Sequence, residues 1–350
     1  MSSPARPGPS LNDIAATLGV SAATVSNALL GKGRVSAETA ERIRERAAEL
    51  GYVPGHAGRA LRTGRTSVLG LVLPDIANPL FPQIAQGIEA AASRAGYGVL
   101  IADSRGGVTT QTEAIDRLLG RGVDGMIIVP RRGTRIADVG CPLAVIDTPS
   151  TPGNTVSADH WGGGRQIADH LIGLGHRDIL ILGADPASNV QNDRVGGIRS
   201  AFAGAGLTCR LVWVARLEQK HGAGCPLALA DHVADGVTAV AAVSDLLALR
   251  ALTELQRAGI GVPDRVSVTG FDDLVWSAAV TPTLTTVQQD MERIGEIAVG
   301  ALAEAIEAGR TGTAEAKAGG GSVPMNLIVR QSSGPAATEA HQLKQGVLAR

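Results

Sequence analysis

A short helical stretch near the start of the chain combines small side chains with one long amide. Val25 and Leu29 share its apolar face. At about 100° per residue, Ala23, Ser26 and Asn27 then lie on the outer face. An asparagine amide can make a paired hydrogen bond with the edge of adenine, and the Ala23 methyl can contact the methyl of thymine. This face therefore has the chemistry needed to read base edges in DNA.

Polar and aromatic side chains follow the ends of apolar, strand-like runs further along the chain. Ligands of open parallel sheets bind beyond the carboxyl ends of the strands, and converging carboxylates can hold the hydroxyls of a polyol by paired hydrogen bonds. A sugar is the first interpretation and a nucleoside the second. For Asp75 and Asp245 a helix cap or turn is an equal alternative, and for Trp276 core packing is an equal alternative to a stacking wall. The candidates are Asp75, Asn78, Phe81, Asp147, Asp245, Asp272 and Trp276.

The elements around the outward amide predict a helix-turn-helix. Ser10 can cap a first helix that stops at Gly19, and Ser21 can cap a second. Ser36 can cap a third helix, which runs to Leu50. Two helices joined by a tight turn and supported by a third form this DNA-binding motif. The alternative interpretation is a helix pair that only packs against the rest of the protein.

The charge of the chain is divided unevenly. The whole sequence has 32 Lys and Arg against 33 Asp and Glu. Residues 1–65 hold nine basic and five acidic side chains, a net charge of +4, which leaves −5 for the remainder. A basic segment on an acidic body is expected where only that segment contacts a polyanion. A solvated amphipathic helix explains part of the same charge.

From residue 67 onward, short apolar runs alternate with helical stretches, such as 83–95, 163–174 and 245–258. The strand-like runs include SVLGLVLP, GVLIA, DGMIIVP, PLAVID, DILILG, AVAAVS and VSVTGFDD. This alternation predicts a parallel sheet covered by helices on both faces. The length of the chain allows two such sheets, and a hydrophobic content of 44% can fill their cores.

Signatures of catalysis and of metal binding are missing from the sequence. It contains no P-loop, no GxSxG and no HExxH, and no dinucleotide fingerprint follows the first strand. Cys141, Cys209 and Cys225 lack CxxC spacing and fit buried thiols in a reducing compartment. We therefore expect no enzymatic activity, no cofactor and no metal. No apolar run approaches the ~18 residues of a membrane span, and MSSPARPGPS is unlike a secretory signal, so we expect a cytoplasmic protein with no membrane partner.

The segments DIAATLGVSAATVSNAL and VSAETAERIRERAAELGYVP resemble the DNA-binding headpiece of the lactose/galactose repressor family, and the likeness continues to about Gly334. That family commonly has Arg where this sequence has Asn27, and larger residues than Ala22 and Ala23. Its usual operator sequence is therefore not carried over. With the analysis above, the resemblance implies DNA contacts by Ser21, Ala22, Ala23, Thr24, Ser26, Asn27, Arg34, Arg59 and Leu61.

The stretch GHAGRALRTGRTS follows the headpiece. A helix over residues 57–61 is far shorter than the ~12–15 residues needed for independent stability, so by itself the stretch fits a flexible linker. The resemblance implies instead a hinge helix that pairs with its copy in a dimer and wedges Leu61 into the minor groove. In that case the segment folds on binding.

The resemblance also divides the chain into domains. It implies a helix-turn-helix headpiece at 1–54, a hinge at 55–65, a body at 66–334 that is similar to a periplasmic sugar-binding protein, and a flexible tail at 335–350. The first lobe of the α/β body covers about 66–158 and 290–320, and the second about 159–288 and 322–334. One strand, VPMNLIVR, returns to the second lobe. Effector contacts are implied for Arg194, Ser244 and Asp272.

Together these features predict a dimeric, DNA-binding transcriptional regulator, a repressor, that binds a pseudo-palindromic double-stranded operator. A small effector, a sugar or related polyol, controls operator affinity from the cleft between the lobes. The alternative is the solute-binding protein of a sugar transporter, which shares the body but requires export and has no use for a basic headpiece. An enzyme built on two α/β lobes ranks third. Whether the effector is an inducer or a corepressor is left open.

Overall fold

The computed structural model describes residues 9–29, 31, 33, 35–52, 65–136, 139–311 and 320–337. The chain forms two compact units, Met1–Thr66 and Ser67–Arg350. Among the described residues, no helix combines the length and the apolarity needed to cross a lipid bilayer.

The first unit contains three short helices, which local capping positions. Ser10 and Asp13 form a reciprocal capping box. Gly19 ends the first helix in the left-handed conformation, with φ 66°, which glycine adopts without a steric cost. Ser36 caps the third helix by accepting from Thr39 N. The helices are α1 (Leu11–Leu18), α2 (Ala22–Leu29) and α3 (Ala37–Glu49).

A small core holds these helices together. Ile14 of α1, Val25 of α2 and Ile43 of α3 are fully buried and lie in one cluster with buried alanines. Small side chains allow the three helices to approach closely. The predicted helix-turn-helix is therefore present, with α3 packed against both other helices.

The first lobe of the second unit contains a parallel four-stranded sheet in the order β2-β1-β3-β4. Its central strands are almost completely buried, as expected for a sheet covered on both faces. The edge strand β2 is partly exposed. The strands are β1 (Val68–Leu73), β2 (Gly98–Asp103), β3 (Gly125–Ile128) and β4 (Leu143–Val145), connected in part by α4 (Leu80–Arg94) and α5 (Val108–Leu119).

The second lobe repeats this arrangement. Its parallel sheet has the order β7-β6-β8-β9. The strands are β6 (Ile179–Gly183), β7 (Cys209–Trp213), β8 (Ala239–Ala242) and β9 (Ser267–Thr269). The helices are α6 (His160–Gly173), α7 (Asn189–Gly204), α8 (Val214–His221), α9 (Leu229–Ala234) and α10 (Asp245–Arg257), and a 3₁₀ turn covers Val275–Ala278.

Two small strand pairs lie where the chain passes between the lobes. The parallel pair joins β5 (Val156–Ala158) to β11 (Gly321–Val323), and the antiparallel pair joins β10 (Thr286–Gln288) to β12 (Asn326–Ile328). The long α11 (Met291–Thr311) packs mainly against α4 of the first lobe. The chain therefore crosses after β5, after β10 and between β11 and β12.

The prediction of one strand from Val323 to Arg330 is wrong in detail. The structure has two short strands, β11 and β12, with Pro324 and Met325 between them. Proline lacks the amide hydrogen that a continuous ladder needs. β5, β7 and β10 are not among the predicted strands.

Two helices begin earlier than their apolar pattern suggests. α4 begins at Leu80 rather than Gln83, because proline, here Pro82, is tolerated in a first turn. α6 begins at His160 rather than Gly163, since the Asp159 carboxylate accepts from Gly162 N and caps the helix. The strand–helix alternation of the body is as predicted.

Candidate functional sites

α2 presents one face to solvent. Val25 and Ala28 are buried against the other helices, whereas Ala23 and Asn27 are exposed. This is the orientation predicted from the sequence. Ser26, also predicted to face outward, is half-buried. The exposed face offers one amide and a methyl group, the two groups that base-edge recognition requires here.

Hydroxyl groups fix the start of α2. Ser21 Oγ accepts from Thr24 N at 3.0 Å and lies 2.8 Å from Thr24 Oγ1. Ser21 therefore caps the helix, and the Thr24 hydroxyl bonds to this cap; both hydroxyls are also candidates for DNA contact. Ala22 is half-buried and packs on the core. Three predicted DNA contacts, Arg34, Arg59 and Leu61, lie outside the described residues.

The Asn27 side chain lies beside Gly33. A Cβ at Gly33, whose φ is 84°, would lie 3.3 Å from Asn27 Nδ2. A side chain at position 33 would therefore be strained in its backbone and crowded against the amide. The glycine leaves the Asn27 amide accessible on the exposed face.

The second candidate site is a cleft of about 550 Å³ between the lobes of the body. This volume lies within the range of small-molecule sites. Apolar side chains line much of it, including Ile84, Leu247, Met291 and Ile294. Six of the predicted effector contacts line it together: Asn78, Phe81, Asp147, Arg194, Ser244 and Asp272.

Asp75 and Trp276 do not line the cleft, so the structure does not support their interpretation as effector contacts. The Asp75 carboxylate accepts from Ala77 N at 2.9 Å, which is the turn-capping alternative. Trp276 is 43% exposed and lies on the 3₁₀ turn. It is therefore neither a wall of the cleft nor a core residue.

Arg194 is a buried cation held from several sides. It lies in α7, and its Nη1 donates to the carbonyl of Val243 at 2.8 Å. Its Nη2 lies 2.8 Å from Asp272 Oδ1 without the alignment of a hydrogen bond. The guanidinium carbon also lies 4.0 Å from the centre of the Phe271 ring. Because these contacts immobilise the guanidinium, Arg194 is preorganised for a ligand oxygen.

Asp272 pairs with this arginine at the end of β9. Only 6% of the residue is exposed. Burial raises the pKa of its carboxyl, while the nearby Arg194 charge acts to lower it. Gln289 Nε2 donates to Asp272 Oδ1 at 2.7 Å. A buried ion pair with an additional donor can offer both donors and acceptors to hydroxyl groups.

Among the cleft residues that sequence reasoning missed, His160 and Gln289 contact the Arg194–Asp272 pair. His160 Nδ1 accepts from Arg194 Nε at 3.3 Å, which requires a neutral imidazole. Burial, followed by the Arg194 charge, lowers the pKa of His160 well below its usual value. Neither residue carries a local sequence signal of this role, because its contact joins positions far apart in the chain.

Three further predicted residues of the cleft, Asp147, Asn78 and Ser244, each make a local hydrogen bond. Asp147 accepts from the Thr151 hydroxyl, and burial raises the pKa of Asp147. Asn78 Oδ1 accepts from Leu80 N at 3.1 Å. Ser244 caps α10 by accepting from Leu247 N. With the apolar walls, this arrangement can hold a compact polyhydroxylated molecule.

The described residues contain no group of three His, Cys, Asp or Glu side chains arranged to hold a metal ion. The three cysteines are free thiols with intermediate exposure. Burial raises the pKa of Cys141, and the pKa of Cys209 rises to about 11 for the same reason. Cys141 and Cys209 therefore lack the thiolate character of a reactive cysteine.

Comparison with protein families gives two matches, one in each unit. The profile of the lacI family of bacterial regulatory proteins matches residues 10–55. The profile of the periplasmic binding protein-like domain matches residues 168–333. Among curated proteins, the HTH-type transcriptional regulator DegA of Bacillus subtilis (strain 168) is 32% identical over 336 residues, covering 92% of this chain and 97% of DegA.

Two solved structures are similar to this chain over most of its length. The lac repressor dimer bound to operator and the anti-inducer ONPF superposes with a TM-score of 0.78 and 25% identity, covering 94% of this chain and 100% of that one. A complex of the transcriptional regulator CelR with cellobiose gives a TM-score of 0.65 and 28% identity, covering 93% of this chain and 100% of that one.

Proposed function

Because the chain belongs to the lacI family of bacterial regulatory proteins and is a DNA-binding transcriptional regulator, we propose that it represses transcription as a homodimer. In this proposal the dimer binds a pseudo-palindromic operator, and a sugar bound in the cleft controls the binding. The family consists of transcriptional regulators, not of transport proteins or enzymes. The buried Arg194–Asp272 pair in a cleft of about 550 Å³ carries the effector part of this proposal.

The DNA-binding part rests on α2. Its exposed face places the Asn27 amide and the Ala23 methyl on the side opposite the core. One amide per subunit provides little discrimination, because a good base contact contributes about 1–3 kcal/mol. Two copies related by two-fold symmetry double the contacts and require a symmetric operator.

The dimer part rests on the edge of the first lobe. On the edge strand β2, Leu100 is 38% and Ile101 is 53% exposed. Apolar side chains on an uncovered sheet edge favour association. The lac repressor, which this chain resembles over 94% of its length, forms a dimer on its operator. We infer that β2 contributes to the contact between two copies.

The effector is proposed to be a neutral sugar. The cleft residues Arg194 and Asp272 neutralise each other, as do Arg250 and Glu218, whose atoms lie 2.8 Å apart. A site of paired charges matches hydroxyl groups, which donate and accept, better than a net charge. Cellobiose, the ligand of the related CelR complex, is the first sugar to test.

Control of DNA binding is proposed to act through segment 55–65, of which residues 55–64 lie outside the described residues. A sugar that binds one arrangement of the lobes better than another shifts the population towards it. If the two arrangements space the paired hinge segments differently, operator affinity changes with them. An inducer favours the arrangement with the weaker operator contact, and a corepressor favours the other.

A thermal-shift screen of the full-length protein tests the effector part. Cellobiose and a panel of other sugars, polyols and nucleosides are each added in large excess, so that a true effector is present at about 100 times its dissociation constant. A true effector then stabilises the fold by roughly 2.7 kcal/mol. Arg194→Lys retains the charge but loses the planar fork, so its stabilisation by the same sugar should be much smaller. Failure of every sugar to stabilise the wild-type protein contradicts the proposal.

A further inference from the structure

We propose that Asp245 is a positioning residue of the cleft: its buried carboxylate holds the loop from Asp272 to Ser277 so that Asp272 faces Arg194. The effect on ligand affinity rests on the proposed function of the cleft. The effect on the loop is a property of the protein without ligand. The two can therefore be tested separately.

Asp245 is fully buried in the first turn of α10 and does not itself line the cleft. Its Oδ2 accepts from Leu274 N at 2.7 Å and from Ser277 Oγ at 2.6 Å. Its Oδ1 accepts from Thr286 Oγ1 at 2.6 Å. Its own N–H donates to Phe271 O at 2.7 Å. The carboxylate therefore joins the second half of the loop to β10, and the backbone N–H of Asp245 fixes the residue directly before the loop.

The loop requires this support because of its backbone. Asp272 has φ 108° and Asp273 has φ 50°, in the region that favours glycine. Side chains in this region cost energy and persist only where surrounding contacts fix them. Asp273 is also held, by an ion pair of 2.7 Å with Arg330 and a hydrogen bond from Gln288. Asp245 holds the later residues of the same loop, through Leu274 and Ser277.

The lack of a side chain at Gly270 leaves room for the Asp245 carboxylate. Gly270 follows β9, two positions before the loop, and a Cβ at this position would lie 2.2 Å from Asp245 Oδ1. No ordinary side chain fits there without moving the carboxylate. Replacing Gly270 would therefore disturb the same hydrogen bonds from the opposite side.

The charge of Asp245 should affect how firmly the loop is held. Burial, followed by the charge of the facing Asp272, raises the pKa of Asp245 to about 6. Asp272 is in turn paired with Arg194. An ionised acceptor makes stronger hydrogen bonds than a neutral one. The loop should therefore be held more firmly above pH 6 than below it, and Asp245→Asn should resemble the acidic form.

Trp276 lies within the loop and is 43% exposed, so its fluorescence reports on the loop directly. In full-length protein carrying Trp161→Phe and Trp213→Phe, acrylamide quenching is measured from pH 5 to pH 8. Quenching is expected to rise by about half as the pH falls through 6. In Asp245→Asn the rise in quenching between high and low pH should be less than half of that in the parent protein. In Asp245→Ala, quenching at pH 7.5 should be about twofold higher than in the parent protein.

The second measurement is the dissociation constant for cellobiose at pH 7.5. It is expected to increase about tenfold in Asp245→Ala and about threefold in Asp245→Asn. Leu255→Ala is the matched control, because Leu255 is fully buried in the same helix, ten positions further on. It should lower the melting temperature while leaving Trp276 quenching and cellobiose affinity unchanged. If Asp245→Ala does not fold, Ser277→Ala and Thr286→Val each remove one donor instead.

Unchanged quenching and an unchanged pH step in the Asp245 variants would overturn the proposal. Altered quenching with unchanged cellobiose affinity would also overturn it, because the loop would then not matter for the cleft. If the wild-type protein binds neither cellobiose nor any other sugar, while quenching changes as expected, the role of Asp245 in the loop is supported and the proposed function fails.

Discussion

At the scale of single residues, the Asn27 amide is the most specific group on the exposed face of α2. Asn27→Ala should weaken binding to a cognate operator by ~1–3 kcal/mol. Nonspecific binding depends on phosphate contacts and should remain nearly the same. Fluorescence anisotropy on an operator selected from random DNA, and on unrelated DNA, provides the comparison. Equal losses on both duplexes would remove Asn27 from base recognition.

Asp245 gives a prediction about stability and pH. Its pKa rises from an ordinary 3.8 to about 6 on folding, so the folded state prefers the protonated form. The stability that this preference provides is present below pH 4 and is lost as the pH rises through 6. A shift of this size corresponds to about 2–3 kcal/mol. Relative to Asp245→Asn, the wild-type protein should therefore lose stability over this range.

Urea unfolding of both proteins from pH 4 to pH 7.5 measures this difference. Both proteins contain the other titrating groups, so the contributions of those groups to the pH dependence of stability cancel in the comparison. A difference between the two proteins that stays constant with pH would show that Asp245 does not titrate near 6.

Functional residues could be identified from the sequence where neighbouring positions in the chain carry the signal, and were missed where the signal depends on distant positions. The orientation of Val25 and Asn27 follows from helical periodicity alone, and the structure agrees. Arg194 was identified by resemblance and lies in the cleft. His160 and Gln289 were missed, because their contacts with Arg194 and Asp272 join positions far apart in the chain. No local pattern contains that information.

At the scale of elements, the contact between α6 and α7 positions Arg194. A Cβ at Gly164 of α6 would lie 2.3 Å from the carbonyl oxygen of Arg194 in α7. The close approach of the two helices therefore depends on this glycine. α7 shows little amphipathic pattern, since Arg194 is buried among apolar neighbours. Its position could not be derived from periodicity.

Gly164→Ala should force the two helices apart. Overpacking of this kind costs ~1–3 kcal/mol, and the shift should also weaken sugar binding by moving Arg194. Gly173→Ala is the matched control, because a Cβ at this last residue of α6 meets nothing within 4 Å. The control should be neutral or slightly stabilising. Calorimetry together with sugar titration measures both effects, and equal behaviour of the two variants would contradict this account of the helix contact.

At the scale of the whole molecule, the exposed edge of the first lobe is expected to join two copies. Ile101→Glu places a charge in the proposed contact and should raise the dimer dissociation constant at least tenfold, since an unpaired charge is costly to bury. Thr208→Glu, at an exposed position of the second lobe, is the control. Sedimentation velocity distinguishes monomer from dimer. A dimer that is equally stable in both variants would place the interface elsewhere.

The two-lobed body could be predicted from strand–helix alternation only in outline. Parallel sheets follow from the apolar runs, but the three crossings depend on pairings such as β5 with β11, which lie more than 150 residues apart. Such pairings are set by tertiary packing and not by local propensity. Family resemblance supplied the approximate crossings, and the structure places the last of them between β11 and β12.

Operator affinity with the cleft filled and empty tests the central claim most directly. The full-length dimer is titrated onto its selected operator by anisotropy, with and without the sugar that stabilises it in the thermal screen. The account predicts a change in dissociation constant of at least tenfold, ~1.4 kcal/mol of coupling, which Arg194→Lys greatly reduces. The same operator affinity in both conditions, at a sugar concentration that saturates the cleft, would contradict it.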